Sequence, residues 1–256
     1  MLIDSHLHFP TEETEIHKII ERAVNEGVTK FINIGTSLID SEYAIKTAGK
    51  FESVYASVAV YPHEDMDKED SFLVEGLRKL AGSSKKVVAI GECGIDISNW
   101  RGGRSLDNQI TLFDAQVRLA LELNLPLIIH NRNGDEIVFQ ILKKNRHDTL
   151  RGVAHCFASS WDFAQKLLDL GFYVSFSGMI TYPNKSELLE VVGKVPLGRF
   201  LVETDSPYLP PQGHRGEKNE PKYVKMIAQK VADIKNLPLQ SIEDHAYDNT
   251  TRLFHL

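Results

Sequence analysis

Two histidines one residue apart stand near the start of the chain. Asp4-Ser5-His6-Leu7-His8 follows the apolar pair Leu2-Ile3. If that pair is a strand, side chains two apart project to the same side and the imidazoles converge. Converging neutral imidazoles are ligands for zinc, manganese, iron and similar cations. Ten histidines in 256 residues will sometimes fall two apart by chance, so the pair alone weighs no more than any short motif. Further along, single imidazoles or carboxylates close other apolar runs: Glu92 after residues 87–90, His130 after 126–129, His155 after 152–154 and Asp205 after 200–204. Taken singly, a strand-end histidine is more often a hydrogen-bonded core group, and an aspartate before Ser-Pro a turn former. Six such groups at strand ends make coincidence a poor account. Four imidazoles and two carboxylates exceed one tetrahedral site and suit two cations with a bridging ligand, for which Glu92 has two oxygens to offer.

The elements that must position these groups alternate. Apolar runs at 2–3, 31–35, 54–61, 87–90, 126–129, 152–154, 172–176 and 200–204 read as eight strands. Helical periodicity fills the gaps, notably residues 106–123 (Ile110, Phe113, Val117, Ala120 and Leu121 in register) and 135–144. Ser37-Leu38-Ile39-Asp40 has the spacing of a capping box with Asp in place of Glu. Ser159-Ser160 caps a later helix, and Ser241-Ile242-Glu243-Asp244 the last one. Eight strand–helix repeats predict an α/β (β/α)8 TIM barrel, in which strand C-termini share one face and build the site. An open doubly wound sheet is the competing fold, but it calls for a glycine-rich phosphate loop and no Gly-x-Gly-x-x-Gly is present. With no repeat, low-complexity tract or linker, residues 1–256 are expected to form one domain.

Composition bounds the function. Hydrophobic residues are 42% and charged residues 25%, ordinary for a globular chain. The net charge of −6 and pI near 5.9 provide no global basic field for nucleic acid, although a local basic rim remains compatible with them. The N-terminus shows no basic stretch followed by an apolar core, and the longest apolar runs are far too short to span a bilayer. Two cysteines, Cys93 and Cys156, exclude a disulfide framework. Each neighbours a candidate ligand, so strand alternation turns it away from the metals, and both read as small buried packing residues. A cytoplasmic enzyme is expected, with no membrane and no obligate protein partner.

Several segments together resemble the TatD family of metal-dependent deoxyribonucleases, within the amidohydrolase-like hydrolases. They are Asp4 to His8, Gly91-Glu92-Cys93-Gly94-Ile95-Asp96, Pro126 to Arg132, His155-Cys156-Phe157 and Glu203 to Leu209. Arg215-Gly216, Asn219-Glu220-Pro221, Asn249 and Leu253-Phe254 extend the likeness over essentially the whole chain. The resemblance implies a TIM barrel, two divalent metal ions (Mg, Mn or Zn) and hydrolysis of DNA phosphodiesters, commonly from the 3′ end and at single-stranded ends. It carries metal ligation to His6, His8, Glu92, His130, His155 and Asp205, the set the strand ends select independently. Two segments depart from the family pattern. The usual Gly-x-His-Pro-His is here Ala59-Val60-Tyr61-Pro62-His63, and His-Cys-Phe-Ser-Gly is here His155-Cys156-Phe157-Ala158-Ser159. Both are expected to border the substrate.

Two cations about 3.5–4 Å apart would activate water and polarise a phosphoryl oxygen, with Asp205 taking the proton and Glu92 the second catalytic carboxylate. His63, Arg132 and Arg215 are the candidate substrate contacts, the arginines because a planar guanidinium suits phosphate. Trp100 has the chemistry to stack on a base but more often such a residue packs a loop, and it stays outside the candidate set. The competing activity is a metal-dependent amidohydrolase or esterase for a small non-nucleic substrate, since one metal centre serves both chemistries. A non-catalytic metal-binding module is disfavoured by the complete ligand set.

Overall fold

Leu2–Leu7 (β1) is buried along its whole length although it carries Asp4, Ser5 and His6. Asp4 accepts the Thr204 backbone N–H at 2.9 Å and the Thr204 hydroxyl, and Ser5 Oγ donates to the Val202 carbonyl at 3.0 Å. Interior polar groups are costly only while unpaired. The pairing therefore lets the strand run on to Leu7, past the Leu2-Ile3 pair that apolarity alone marks. This structure is a computed structural model that describes residues 1–98 and 102–256; Trp100 lies outside the described residues.

The further strands are β2 (Val28–Asn33), β3 (Val54–Val58), β4 (Val87–Asp96), β5 (Leu127–Arg132), β6 (Gly152–Ala154), β7 (Tyr173–Phe176) and β8 (Phe200–Val202). They lie in one sheet in sequence order, and the registered pairs are parallel. Between them run α1 (Glu13–Asn25), α2 (Leu38–Lys50), α3 (Asp70–Ser83), α4 (Leu106–Leu123), α5 (Asp135–Lys144), α6 (Trp161–Asp169) and α7 (Ser186–Lys194). Helices α8 (Val224–Lys235) and α9 (Leu239–Phe254) end the chain. The fold is the expected (β/α)8 TIM-barrel class. No helix of the described residues is long and apolar enough to cross a membrane.

Local signals explain the helix ends. Ser37 Oγ accepts the Asp40 N–H at 3.1 Å and opens α2 as expected. The returning carboxylate of Asp40 instead takes the N–H and hydroxyl of Thr36, each at 3.0 Å, one residue before the reciprocal partner of a capping box. Ser105 caps α4 through the Asn108 N–H at 3.4 Å, and Asn124 ends it in the left-handed region at φ 52°. Helix α9 starts after Pro238, two residues ahead of the cap read at Ser241, whose N–H donates to the Pro238 carbonyl at 3.0 Å.

Two compact units divide the chain: Met1–Asn33 with Cys156–Gln165 and Tyr173–Leu256, and Ile34–His155 with Lys166–Phe172. Neither is one continuous stretch. In the first, the Asp205 N–H donates to the His6 carbonyl at 2.9 Å and the His8 N–H to the Ser206 carbonyl at 2.8 Å. Those bonds join the C-terminal end of β1 to the segment after β8. In the second, Gly94 pairs with His130 across β4 and β5. Gly94 sits at φ +154°, where an added Cβ would fall 1.9 Å from the His130 carbonyl oxygen. Only glycine lets the two strands approach that closely.

Candidate functional site

All six metal-ligand candidates fall into two triads, one in each unit. In the first unit, ligand atoms of His6, His8 and Asp205 lie within 4.8 Å of one another. The Nε2 atoms of His6 and His8 are each 3.7 Å from Asp205 Oδ1, and their rings meet edge to face at 5.3 Å. His6 is buried inside β1, and His8, one step beyond the strand, is half-buried. The spacing of two places both imidazoles on one side, as strand geometry requires. Asp205 adopts φ +57°, a left-handed backbone that aspartate tolerates better than most residues, and strain of this kind gathers at functional sites.

In the second unit Glu92, His130 and His155 form the other triad. One oxygen, Glu92 Oε1, is 2.7 Å from His130 Nδ1 and 2.9 Å from His155 Nε2. Glu92 and His130 lie within β4 and β5 and not at their ends, because both strands continue to Asp96 and Arg132. Each triad offers two imidazole nitrogens and a carboxylate, a donor set for Zn, Mn, Fe or Co that leaves positions for water and substrate.

Around this second triad stand groups that sequence reasoning left out of the site. Asp96, at the end of β4, is buried; its Oδ2 accepts the Tyr61 hydroxyl at 2.6 Å and lies 3.4 Å from His130 Nε2. The Tyr61 oxygen is itself 3.2 Å from that nitrogen. Burial raises the Asp96 carboxyl, but hydrogen bonds from His130, Ser98 and Tyr61 outweigh it and hold the group well below the usual carboxylate range. Burial lowers the His130 imidazole, yet Asp96 and Glu92 outweigh that and keep it above its ordinary value. Burial and Asp96 push the Tyr61 phenol far up, leaving it an O–H donor. The departure at position 61, expected to face substrate, therefore reaches a metal-ligand candidate. A signal was available: Glu92, Gly94 and Asp96 alternate along one strand, once the strand is allowed to hold charged residues.

His63 Nδ1 accepts the Arg104 backbone N–H at 3.2 Å. The Arg104 side chain then donates to the carbonyls of Pro62, Glu64 and Asp65 at 3.2, 2.9 and 3.3 Å, fixing the loop that carries His63. Arg132 is exposed at the end of β5, and its charge is felt at the Tyr61 phenol. Arg215 stacks on the Tyr182 ring at 4.5 Å. Burial raises the Tyr182 phenol, Arg215 opposes this, and Asp205 adds to it. The sequence marks Glu203 only as part of the Glu203 to Leu209 segment. It is buried, and its Oε1 accepts the Cys156 N–H at 2.6 Å. Cys93 is fully buried as expected, whereas Cys156 is half-buried in a turn at φ 44°, with Sγ 3.1 Å from Ser177 Oγ. Tyr208 is 61% exposed and meets the His8 ring edge to face at 5.9 Å. It lines a cleft of about 240 Å3 that includes His8, Phe9, Pro207 and Lys218. A larger cavity of about 720 Å3 runs along α8 and contains no candidate residue.

Residues 3–255 match the family described as TatD related DNase. The chain is 35% identical over 260 residues to YabD of Bacillus subtilis, an uncharacterized metal-dependent hydrolase, with all of both chains covered. The chain belongs to the TatD family of metal-dependent hydrolases. Another relative in the family, YcfH of Escherichia coli K12, is also an uncharacterized metal-dependent hydrolase and is 35% identical, over 100% of this chain and 96% of its own length. The crystal structure of YjjV, a TatD homologue from E. coli K12, superposes with a TM-score of 0.92 at 29% identity, covering 100% of this chain and 98% of that one.

Proposed function

We propose that this TatD-family chain hydrolyses phosphodiester bonds of DNA as a 3′–5′ exonuclease, with one divalent cation in each triad. The observation that carries the reading is the pair of triads, each of two histidines and a carboxylate, in which one carboxylate oxygen faces two imidazole nitrogens. Divalent cations bound there supply Lewis-acid polarisation of a phosphoryl oxygen and a more acidic water. Asp205 takes the proton of the attacking water and Glu92 holds the imidazoles of its triad in place. Arg215, flattened on Tyr182, and Arg132 receive non-bridging and flanking phosphate oxygens, for which a guanidinium fork is shaped. With Nδ1 accepting from the Arg104 N–H, Nε2 is the side of His63 left to donate to a substrate phosphate.

The test uses metal-stripped protein reloaded with Mg or Mn and given 3′- and 5′-labelled single-stranded DNA. Metal-dependent loss of nucleotides from the 3′ end is expected. Asp205→Ala is expected to stay folded and lose at least about 100-fold in turnover, as does Glu92→Ala. Nuclease activity within about threefold of the parent in Asp205→Ala would remove that residue's role. The net charge of −6 favours a second reading, a hydrolase of small non-nucleic substrates. A panel of p-nitrophenyl phosphodiesters, amides and lactones separates the two, the nuclease reading requiring turnover of the diesters alone.

A further inference from the structure

A neutral imidazole has one N–H and one lone pair, so a histidine ligand works only if its proton sits on the nitrogen away from the metal. In His130 the two nitrogens face different surroundings. Nδ1 looks at Glu92 Oε1 (2.7 Å) and His155 Nε2 (3.4 Å), the interior of the triad. Nε2 looks away, at Asp96 Oδ2 (3.4 Å) and the Tyr61 oxygen (3.2 Å). Tyr61 has a single hydroxyl proton, and it points to Asp96 Oδ2 at 2.6 Å. What it leaves toward Nε2 is a lone pair, so both neighbours of Nε2 are acceptors. Glu92 Oε1 is an acceptor on the Nδ1 side as well, so it is a cation displacing the proton from Nδ1 that leaves the remaining one on Nε2, where Asp96 and Tyr61 hold it.

These acceptors are braced from behind. Asp96 Oδ1 accepts the Ser98 N–H at 2.8 Å. The Asp96 backbone is held at both ends by Gln109, which accepts its N–H at 2.9 Å and donates to its carbonyl at 3.1 Å. Gln116 does the same for Val60, the residue before Tyr61, at 2.9 and 3.0 Å. Both glutamines are buried on α4, and two buried polar side chains spent on these short segments fix the hydroxyl and the carboxylate against His130.

We propose that Tyr61 and Asp96 are positioning residues that lock His130 with its proton on Nε2, so that the Nδ1 lone pair is delivered to a divalent cation in the Glu92/His130/His155 triad. This rests on the reading of that triad as a metal site. Tyr61 stands where the family usually has histidine. A phenol differs there in having one proton to direct, and its route to Asp96 makes the orientation of His130 one-sided.

Asp96→Asn separates this role from simple packing. The Ser98 N–H needs an acceptor, so the amide oxygen takes the place of Oδ1 and the NH2 group falls where Oδ2 was. There it donates to Nε2, and the His130 proton moves to Nδ1, closing the lone pair to a cation. Zn2+ affinity of the full-length protein is read by competition with a chromophoric chelator. The tautomer of His130 is read by long-range 1H–15N NMR on histidine-labelled, Zn2+-loaded protein. The expected result is an affinity loss of about 10–100-fold for one of the bound ions, with the His130 proton found on Nδ1 in Asp96→Asn and on Nε2 in the parent. Tyr61→Phe keeps the carboxylate and is expected to lose less, under about tenfold, while its weakened Nε2–H bond shifts the same NMR signal. If Asp96→Asn does not fold, Tyr61→Phe decides, and an unmoved His130 signal with unchanged affinity overturns the proposal. Parent-like affinity with the proton still on Nε2 in Asp96→Asn overturns it as well. Glu92→Ala distinguishes the two levels. If it removes one Zn2+ equivalent while Asp96→Asn changes nothing, the positioning role fails alone; if it removes none, the metal reading of the triad fails.

Discussion

Asp205 gathers more interactions than a metal ligand needs. Its carbonyl accepts the Tyr208 N–H at 2.9 Å, which turns the chain so that the Tyr208 ring stands edge-on to His8. On the proposed nuclease reading, this exposed aromatic beside a metal-ligand candidate would stack on the base next to the cleaved bond, where such stacking contributes about 1–3 kcal/mol. Tyr208→Ala is therefore expected to raise KM for single-stranded DNA by roughly tenfold or more with kcat little changed, and Tyr208→Trp to restore it. A fall in kcat at constant KM would show that the ring supports Asp205 and does not touch substrate.

Strands β4 and β5 position Glu92 and His130 of the second triad, and they approach closely at Gly94. A methyl group there would meet the His130 carbonyl oxygen at 1.9 Å, so Gly94→Ala must separate the strands or shift His130. The expected cost is about 1–3 kcal/mol in urea unfolding, together with loss of one bound metal equivalent; a stable variant with both metals would contradict the register described. Helix α4 is tied to α5 by Asp114, whose carboxylate accepts from Asn145 at 2.7 Å and Lys144 at 3.2 Å and pairs with Arg118 at 3.0 Å. Burial raises this carboxyl, but Asn145, Lys144 and Arg118 outweigh it and hold it below the ordinary value of 3.8. A depressed carboxylate stabilises the fold above its unfolded pKa and loses that contribution as pH falls through the folded value. Asp114→Ala should thus cost about 1–2 kcal/mol near neutrality and markedly less near pH 3, as chemical denaturation at the two pH values will show. An equal cost at both would assign the effect to packing.

For the molecule as a whole, cations that bind the folded chain and not the unfolded one stabilise it by mass action. At a concentration 100 times Kd the gain is about 2.7 kcal/mol per site. In a chain of this length that raises Tm by roughly 5–10 °C. Native mass spectrometry is expected to count two ions in the parent and one in either His6→Ala or Glu92→Ala, with the thermal shift reduced accordingly. Two ions retained in both variants would show that the triads are not where metal binds.

By itself the sequence determined the strand–helix alternation and the extents of α4, α5 and β6, and it singled out the six residues that the fold gathers into two triads. Helices α4 and α5 were legible because their apolar period is regular. The triads were legible because imidazoles and carboxylates that end or interrupt apolar runs stand out against their neighbours. The true lengths of β1, β4 and β5 were not legible. Charged residues inside a strand look like loop until a partner appears, and the partner of Asp4 is Thr204, 200 residues away. Tertiary structure alone also decided which ligands share a cluster, since Asp205 joins His6 and His8 through bonds that link β1 to the far end of the chain. It likewise turned Tyr61 toward His130, because the direction of that hydroxyl depends on Asp96 in a neighbouring strand. No local pattern carries such information, for a buried polar group is placed by whichever distant group satisfies it.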